Sequence, residues 1–544
     1  MKTSNKKNIF IFLCALVFTS SFISAQELNP LEELKKYTSK EYDKDLQKEF
    51  VVIEQPTVHD FNPQTTALSG DNDILMNTFE GLFAFHPVTL DAQYAIATGY
   101  KISRDKKRWQ ITLRDNAYFS NGDKITAEDV RFSFIQLLST PSAPYASLLD
   151  IVRGAKDFRN GTGKEEDVGI YVQDDYTIAI YLETPANYLP KILCHQAFSI
   201  VNKDPDVYSG AYCIDEKLAD KTILKKNPYY WDKDNVAIEK VIFLQSDDPE
   251  ENAYLYNTGR ADWVMNGNVY FDRLLDPGSI QVAPMFGASF YFFKTSAKKP
   301  SEKDTGSVWD YPEFRNALLE AMPWKTLRNG VPVPATTFVY PLAGYPKVDG
   351  FDFTDPKEAE IKMKAAREKY NIPADEKLSI VFEVNKGATN EGTKTALANA
   401  FALLNIEVEF KETPGYIYFS NIAQSDSDVY LYSWIGDFAD PLTFLELFRG
   451  GASLNDSGWH NDEYDKYLEK AAVVSDAERY KYLAEAEKIL LDEGMIIPIA
   501  FPVSYNIINF MEVGGWYPNA FDCHFFKFIY KKRESTFYPN IVMR

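Results

Sequence analysis

Two carboxylates, Asp437 and Asp440, interrupt the aromatic and aliphatic run Tyr432-Ser-Trp-Ile-Gly-Asp-Phe-Ala-Asp-Pro-Leu-Thr-Phe444. An ionised carboxylate in such surroundings is costly unless something pairs with it, so each requires a specific job. For Asp440 the job is local. It precedes Pro441 and the run Leu442-Thr-Phe-Leu-Glu-Leu-Phe448. Asp is a favoured helix N-cap, and Pro a favoured first helical residue because its missing N–H would be unpaired there anyway. Asp437 has no such local use. It follows the strand-like Asp428-Val-Tyr-Leu-Tyr-Ser-Trp434, and Gly436 beside it lets another backbone come close. An acid at the mouth of an edge strand is placed to receive a cation lying along that strand. A turn carboxylate with local hydrogen bonds has the same sequence signature.

The elements that must position this segment are legible in pieces. Arg108-Trp-Gln-Ile-Thr-Leu-Arg114 alternates as a strand, with Trp109, Ile111 and Leu113 on one face. Asn121-Gly122 signals a turn. Thr126-Ala-Glu-Asp129 is a capping box opening a helix with Val130, Phe134, Leu137 and Leu138 on one side. Further strands are predicted at 176–182, 240–244, 378–384, 406–410 and 496–499, and helices at 356–370 and 393–404. Ser475-Asp-Ala-Glu478 is a second capping box, and Gly494 stops the helix it opens. Pro498 favours a sheet edge or strand end. This alternation predicts α/β organisation, mixed sheets flanked by helices.

A chain of 544 residues suggests three or four domain-sized units. Its net charge of -20 argues against nucleic acid or an anionic membrane surface as a partner. Lys2, Lys6 and Lys7 precede the apolar run 9–18, and small and polar residues follow to Ser24-Ala25-Gln26. That order is a secretory signal, with cleavage expected after Ala25, leaving a soluble exported protein. Cys14 lies in mid-run after Leu13, which argues against a lipoprotein. Cys194, Cys213 and Cys523 remain, an odd number, so no disulfide scaffold is implied, although Cys194 and Cys213 could pair. The histidines, His59, His86, His195, His460 and His524, lack metal-ligand spacing and read as structural. Nucleophile-elbow, phosphate-loop, zinc-protease and Cys-x-x-Cys motifs are missing from the sequence. No cofactor is implied, and an enzyme acting through paired carboxylates is a minor reading.

Several segments together resemble the extracytoplasmic solute-binding proteins of ABC importers, in the oligopeptide- and dipeptide-binding family. The most specific runs from Arg108-Trp-Gln-Ile-Thr-Leu-Arg-Asp through Phe119-Ser-Asn-Gly to Thr126-Ala-Glu-Asp-Val130. Asn77-Thr-Phe-Glu-Gly-Leu-Phe83, Ser209-Gly-Ala-Tyr212, Asn227-Pro-Tyr-Tyr-Trp231 and Asn257-Thr-Gly-Arg-Ala-Asp-Trp263 follow the family's order. So does the run from Asn461-Asp-Glu-Tyr-Asp465 to Ile499.

The resemblance implies a periplasmic-binding-protein-like type II fold, two lobes on a hinge with an extra domain on the N-terminal lobe. The implied organisation is a signal peptide at 1–25, first-lobe segments at 26–89, 194–293 and 502–544, the extra domain at 90–193, and the other lobe at 294–501. The motif Trp434-Ile-Gly-Asp-Phe-Ala-Asp-Pro441 matches the family's ammonium-clamp motif, so Asp437 is expected to hold the α-ammonium of a short peptide. The peptide would add as a strand to backbone at Ser433 to Gly436 on one lobe and at Glu80, Gly81 and Leu82 on the other. Trp434 would pack on the ligand, and Glu80 could meet a basic side chain. The family's basic residue on the strand before the Trp is missing from Val429-Tyr-Leu-Tyr432, and Lys386 and Lys394 are substitutes to consider. The implied partners are a membrane permease with its ATPase subunits, the protein acting as a periplasmic monomer. A metal chelate, haem or oligosaccharide is the alternative ligand.

Overall fold

The protein is described by a computed structural model covering residues 45–141, 143–298, 306–474 and 476–532. The signal segment with Cys14 and Ala25, and Ser475 of the second capping box, lie outside these residues.

Two large sheets define two lobes. The first has the spatial order Ile280–Pro284, Val503–Ile508, Trp263–Val264, Glu49–Glu54, Lys240–Gln245, Lys221–Lys226, Tyr212–Lys217. At its centre Glu49–Glu54 runs parallel to Lys240–Gln245, with Phe50, Val52 and Ile53 wholly buried. A strand covered on both faces reads as such an apolar run. The second sheet has the order Ile406–Thr413, Leu378–Asn385, Val429–Ile435, Gly287–Phe293, Ile496–Ala500. Pro498, which has no N–H to give, lies on its edge strand.

A third, four-stranded antiparallel sheet has the order Ala97–Ile102, Arg108–Leu113, Thr177–Tyr181, Ile170–Asp174. Trp109, Ile111 and Leu113 are buried on one of its faces. The helix Ala127–Ser139 begins where Asp129 Oδ2 accepts both the N–H and the hydroxyl of Thr126, each at 2.8 Å. Two lobes with an added sheet form the periplasmic-binding-protein-like type II arrangement.

The chain crosses between the large sheets at Met285–Phe286 and at Phe501–Pro502. Met285 N–H donates to Pro502 O at 3.0 Å, so the two crossings are tied to one another. The first crossing corrects the expected boundary at 293/294. Gly287–Phe293 pairs along its whole length with Val429–Ile435 and belongs to the second lobe.

The lobes are closed on one another. Ser453 N–H donates to Ser147 Oγ at 3.1 Å, and Lys191 Nζ donates to Ala439 O at 3.3 Å. The Tyr188 ring lies 4.3 Å from the Arg479 guanidinium. The three cysteines among the described residues are buried free thiols, so Cys194 and Cys213 are unpaired.

Candidate ligand-binding site

Asp440 and Asp437 do different work. Asp440 Oδ1 accepts the Leu442 N–H at 3.0 Å, the start-of-helix role its sequence predicts. It also forms a buried two-pronged pair with Arg479, Nε to Oδ2 and Nη2 to Oδ1, both at 3.0 Å. The helix Asp476–Asp492 supplies that arginine. A fork-to-fork pair fixes orientation as well as charge.

Asp437 lies at the lobe interface with its side chain 8% exposed. Tyr145 Oη donates to Oδ1 at 3.0 Å and Thr443 Oγ1 to Oδ2 at 3.1 Å. His195 Nε2 stands 3.6 Å from Oδ1. The His195 Nδ1 accepts the Ala197 N–H at 3.3 Å, so the ring's own proton sits on Nε2 and faces the acid. Tyr145 packs on His195 with ring centroids 4.2 Å apart. Burial pushes the Asp437 carboxyl up to about 7, against the pull of the Tyr145 and Thr443 hydroxyls. Burial likewise holds the His195 imidazole down to about 3, so it is neutral. Among the described residues, His195 is the sole basic side chain within 4.0 Å of Asp437.

The strand leading to this acid is half open. Leu378–Asn385 pairs with Val429–Ile435 only through Phe382↔Val429 and Glu383↔Tyr430. Beyond that point the Tyr418 hydroxyl spans the diverging strands, at 2.9 Å from Glu383 O and 2.7 Å from Leu431 O. Among the described residues no strand pairs with Tyr432–Ile435 on this side, while Gly287–Phe293 pairs on the other. An open edge of this kind is a template for an added strand. Ser433 is exposed there, its Oγ 3.3 Å from Ser289 Oγ. Trp434 is buried, stacked with Tyr432, and its indole N–H has no hydrogen-bond partner.

Gly436 needs a different reason from the one its sequence suggested. A Cβ there would meet the Phe286 ring at 2.5 Å, and its N–H donates to Phe286 O at 2.7 Å. The glycine makes room for the hinge residue Phe286, and its N–H is not available to a ligand strand.

The expectation for Glu80, Gly81 and Leu82 is overturned. Glu80 N–H donates to Ser209 Oγ and Glu80 O accepts Ile200 N–H. Gly81 O accepts Ile96 N–H, and Leu82 O accepts the N–H groups of Ala95 and Ala97. These four backbone groups are engaged within the first lobe, and Gly81 bridges to Ser199, which does not fit strand addition of a peptide through them. The Glu80 carboxylate is held by Tyr230 Oη at 2.5 Å, Trp231 Nε1 at 2.6 Å and Lys527 Nζ at 3.1 Å. Two of the sequence motifs thus meet as a structural knot. Lys394 is engaged by Glu391 and Glu412, which removes it as a carboxylate partner, and Lys386 is exposed on the loop after its strand.

Tyr145, His195 and Thr443 were not predicted. Thr443 follows from the helix that Asp440 opens. Tyr145 and His195 carry no local signal, because only lobe closure brings them to Asp437.

The comparisons with known proteins agree with this architecture. Residues 91–456 match the family profile described as "Bacterial extracellular solute-binding proteins, family 5 Middle". The dipeptide-binding protein DppE of Bacillus subtilis is 26% identical over 442 residues, covering 76% of this chain and 79% of that protein. The solved Haemophilus influenzae OppA, in complex with the peptide RPPGFSPFR, superposes with a TM-score of 0.76 at 23% identity, covering 90% of this chain and 99% of the other. The Escherichia coli murein tripeptide binding protein MppA gives 0.78 at 23% identity, with 90% and 99% covered. Its unliganded open form gives only 0.61 at 24% identity, with 89% and 97% covered, in line with the closed lobes here. No helix of the described residues is long and apolar enough to cross a membrane. The profile match spans well over half of the sequence, and the chain belongs to the bacterial extracellular solute-binding proteins of family 5.

Proposed function

We propose that this protein is the extracytoplasmic substrate-binding component of an ABC importer and captures short peptides between its lobes. The observation that carries the reading is Asp437: a carboxylate at the end of a half-open strand, surrounded by hydroxyls and a neutral imidazole and, among the described residues, with no Lys or Arg within 4.0 Å. A peptide lying along Tyr432–Ile435 brings its α-ammonium to that position. Main-chain pairing is blind to side chains and tolerates varied sequences, while the charged contact fixes register, worth roughly 1.5–3 kcal/mol. The Trp434 indole N–H and the Tyr432 ring are further surfaces for the ligand. The solved relative bound to RPPGFSPFR supports a peptide over the alternative ligands. Cleavage after Ala25 would release the protein as a periplasmic monomer, and the permease with its ATPase subunits would receive the loaded form.

The test is isothermal titration calorimetry with the alanine series from dialanine to penta-alanine. At least one member is expected to bind at micromolar affinity or tighter. Failure of the whole series, together with retention of a non-peptide ligand in native mass spectrometry, would overturn the reading.

A further inference from the structure

Asp437 is enclosed by both lobes at once, and among the described residues the groups within ion-pair or hydrogen-bond distance of its carboxylate are uncharged. Tyr145 and His195 reach it from the first-lobe side and Thr443 from the second, where Trp434 packs against both the Tyr145 and the Tyr432 rings. Burial keeps the Tyr145 and Tyr432 hydroxyls protonated. The nearby bases are engaged elsewhere, Lys191 on Ala439 O and Arg479 on Asp440. The other charged group in range of Tyr432 is Asp456, a second acid. Closing the lobes over an ionised Asp437 therefore seals a carboxylate from water with no counter-charge, which is strongly disfavoured.

The turn that carries Asp437 is also fastened to the hinge. Phe286 N–H donates to Ala520 O in the first lobe, Phe286 O accepts Gly436 N–H, both at 2.7 Å, and its ring fills the space a Gly436 side chain would need. The turn of the acid and the crossing are thus bonded directly to one another.

We propose that Asp437 makes lobe closure conditional on a positive charge: a ligand ammonium or a bound proton permits it, and an ionised Asp437 with neither keeps the lobes apart. This rests on the ammonium reading above and extends it, because the residue that recognises the ligand also decides whether the closed form is presented. The upward displacement of its carboxyl in the closed form agrees with this.

Small-angle X-ray scattering of the full exported chain without ligand tests it, at about pH 5.5 and about pH 8.5, on either side of the Asp437 titration. The wild type is expected to be compact at the lower pH and expanded at the higher. Asp437→Asn is expected to be compact at both, with Asp437→Ser as the second variant should the first fold poorly. Equal wild-type dimensions at both pH values would overturn the proposal. So would a pH response that survives in Asp437→Asn. At the higher pH the best binder of the alanine series should compact the wild type, and its N-acetylated form should not. If both compact it equally, the ammonium reading falls too, whereas a missing pH response alone overturns only the closure proposal.

Discussion

Tyr145 Oη donates to Asp437 Oδ1 at 3.0 Å, joining residues 292 positions apart and from opposite sides of the cleft. That contact places the acid at the point where closure happens. The structure thereby separates two acids that the sequence sets side by side.

Asp437 should burden the protein that carries no ligand. Its carboxyl is raised in the folded state, so its proton is retained from about pH 4 to about pH 7 while the unfolded chain releases it. The contribution to stability is full below about pH 4 and is lost as pH rises to about 7. Asp437→Asn is therefore expected to raise the melting temperature of ligand-free protein above neutral pH and to leave it nearly unchanged near pH 4. Thermal unfolding across pH checks this.

Asp440 should behave in the opposite way. Asp440→Asn takes the carboxylate charge from its buried pair with Arg479 and is expected to cost about 3–5 kcal/mol of stability. Denaturant unfolding measures it. Peptide affinity at temperatures where the variant is folded should change by less than about threefold, under about 0.7 kcal/mol.

His59 makes a second pH-dependent contribution. Burial opposes its charge, yet bonds to Asp71 and Glu54, both at 2.9 Å, raise it to about 9. A raised histidine stabilises fully below about pH 6.5, and the gain is lost as pH climbs to about 9. His59→Phe should therefore be most destabilised below neutral pH, by on the order of 2–3 kcal/mol, with the deficit shrinking toward pH 9. Chemical denaturation at a series of pH values gives the result.

Gly436→Ala places a Cβ against the Phe286 ring. It is expected to weaken peptide binding about tenfold or more, roughly 1.4 kcal/mol, by displacing the Asp437 turn. Phe286→Leu in the same chain should recover part of the loss. A calorimetric double-mutant cycle reads the coupling.

Much of the scaffold was legible because its signals are local. The Trp109, Ile111 and Leu113 alternation and the Thr126–Asp129 helix start need only a few neighbours. Asp440 was legible for the same reason. Its Arg479 partner was not, because that pairing depends on how the helix Asp476–Asp492 packs. The expected first-lobe contact at Glu80 to Leu82 failed because a motif next to an apolar run does not disclose whether its backbone groups are already paired. The 293/294 boundary failed because the crossing is two apolar residues, Met285–Phe286, between strands that read alike. Tyr145 and His195 were invisible in sequence, since their role exists only when the lobes meet.

The most direct test is the effect of N-acetylation on peptide affinity, measured by calorimetry in wild type and in Asp437→Asn with the best binder of the alanine series. Acetylation is expected to cost the wild type at least about tenfold, roughly 1.4 kcal/mol, and to cost the variant almost nothing. An equal acetylation penalty in both proteins, or none in the wild type, would contradict it.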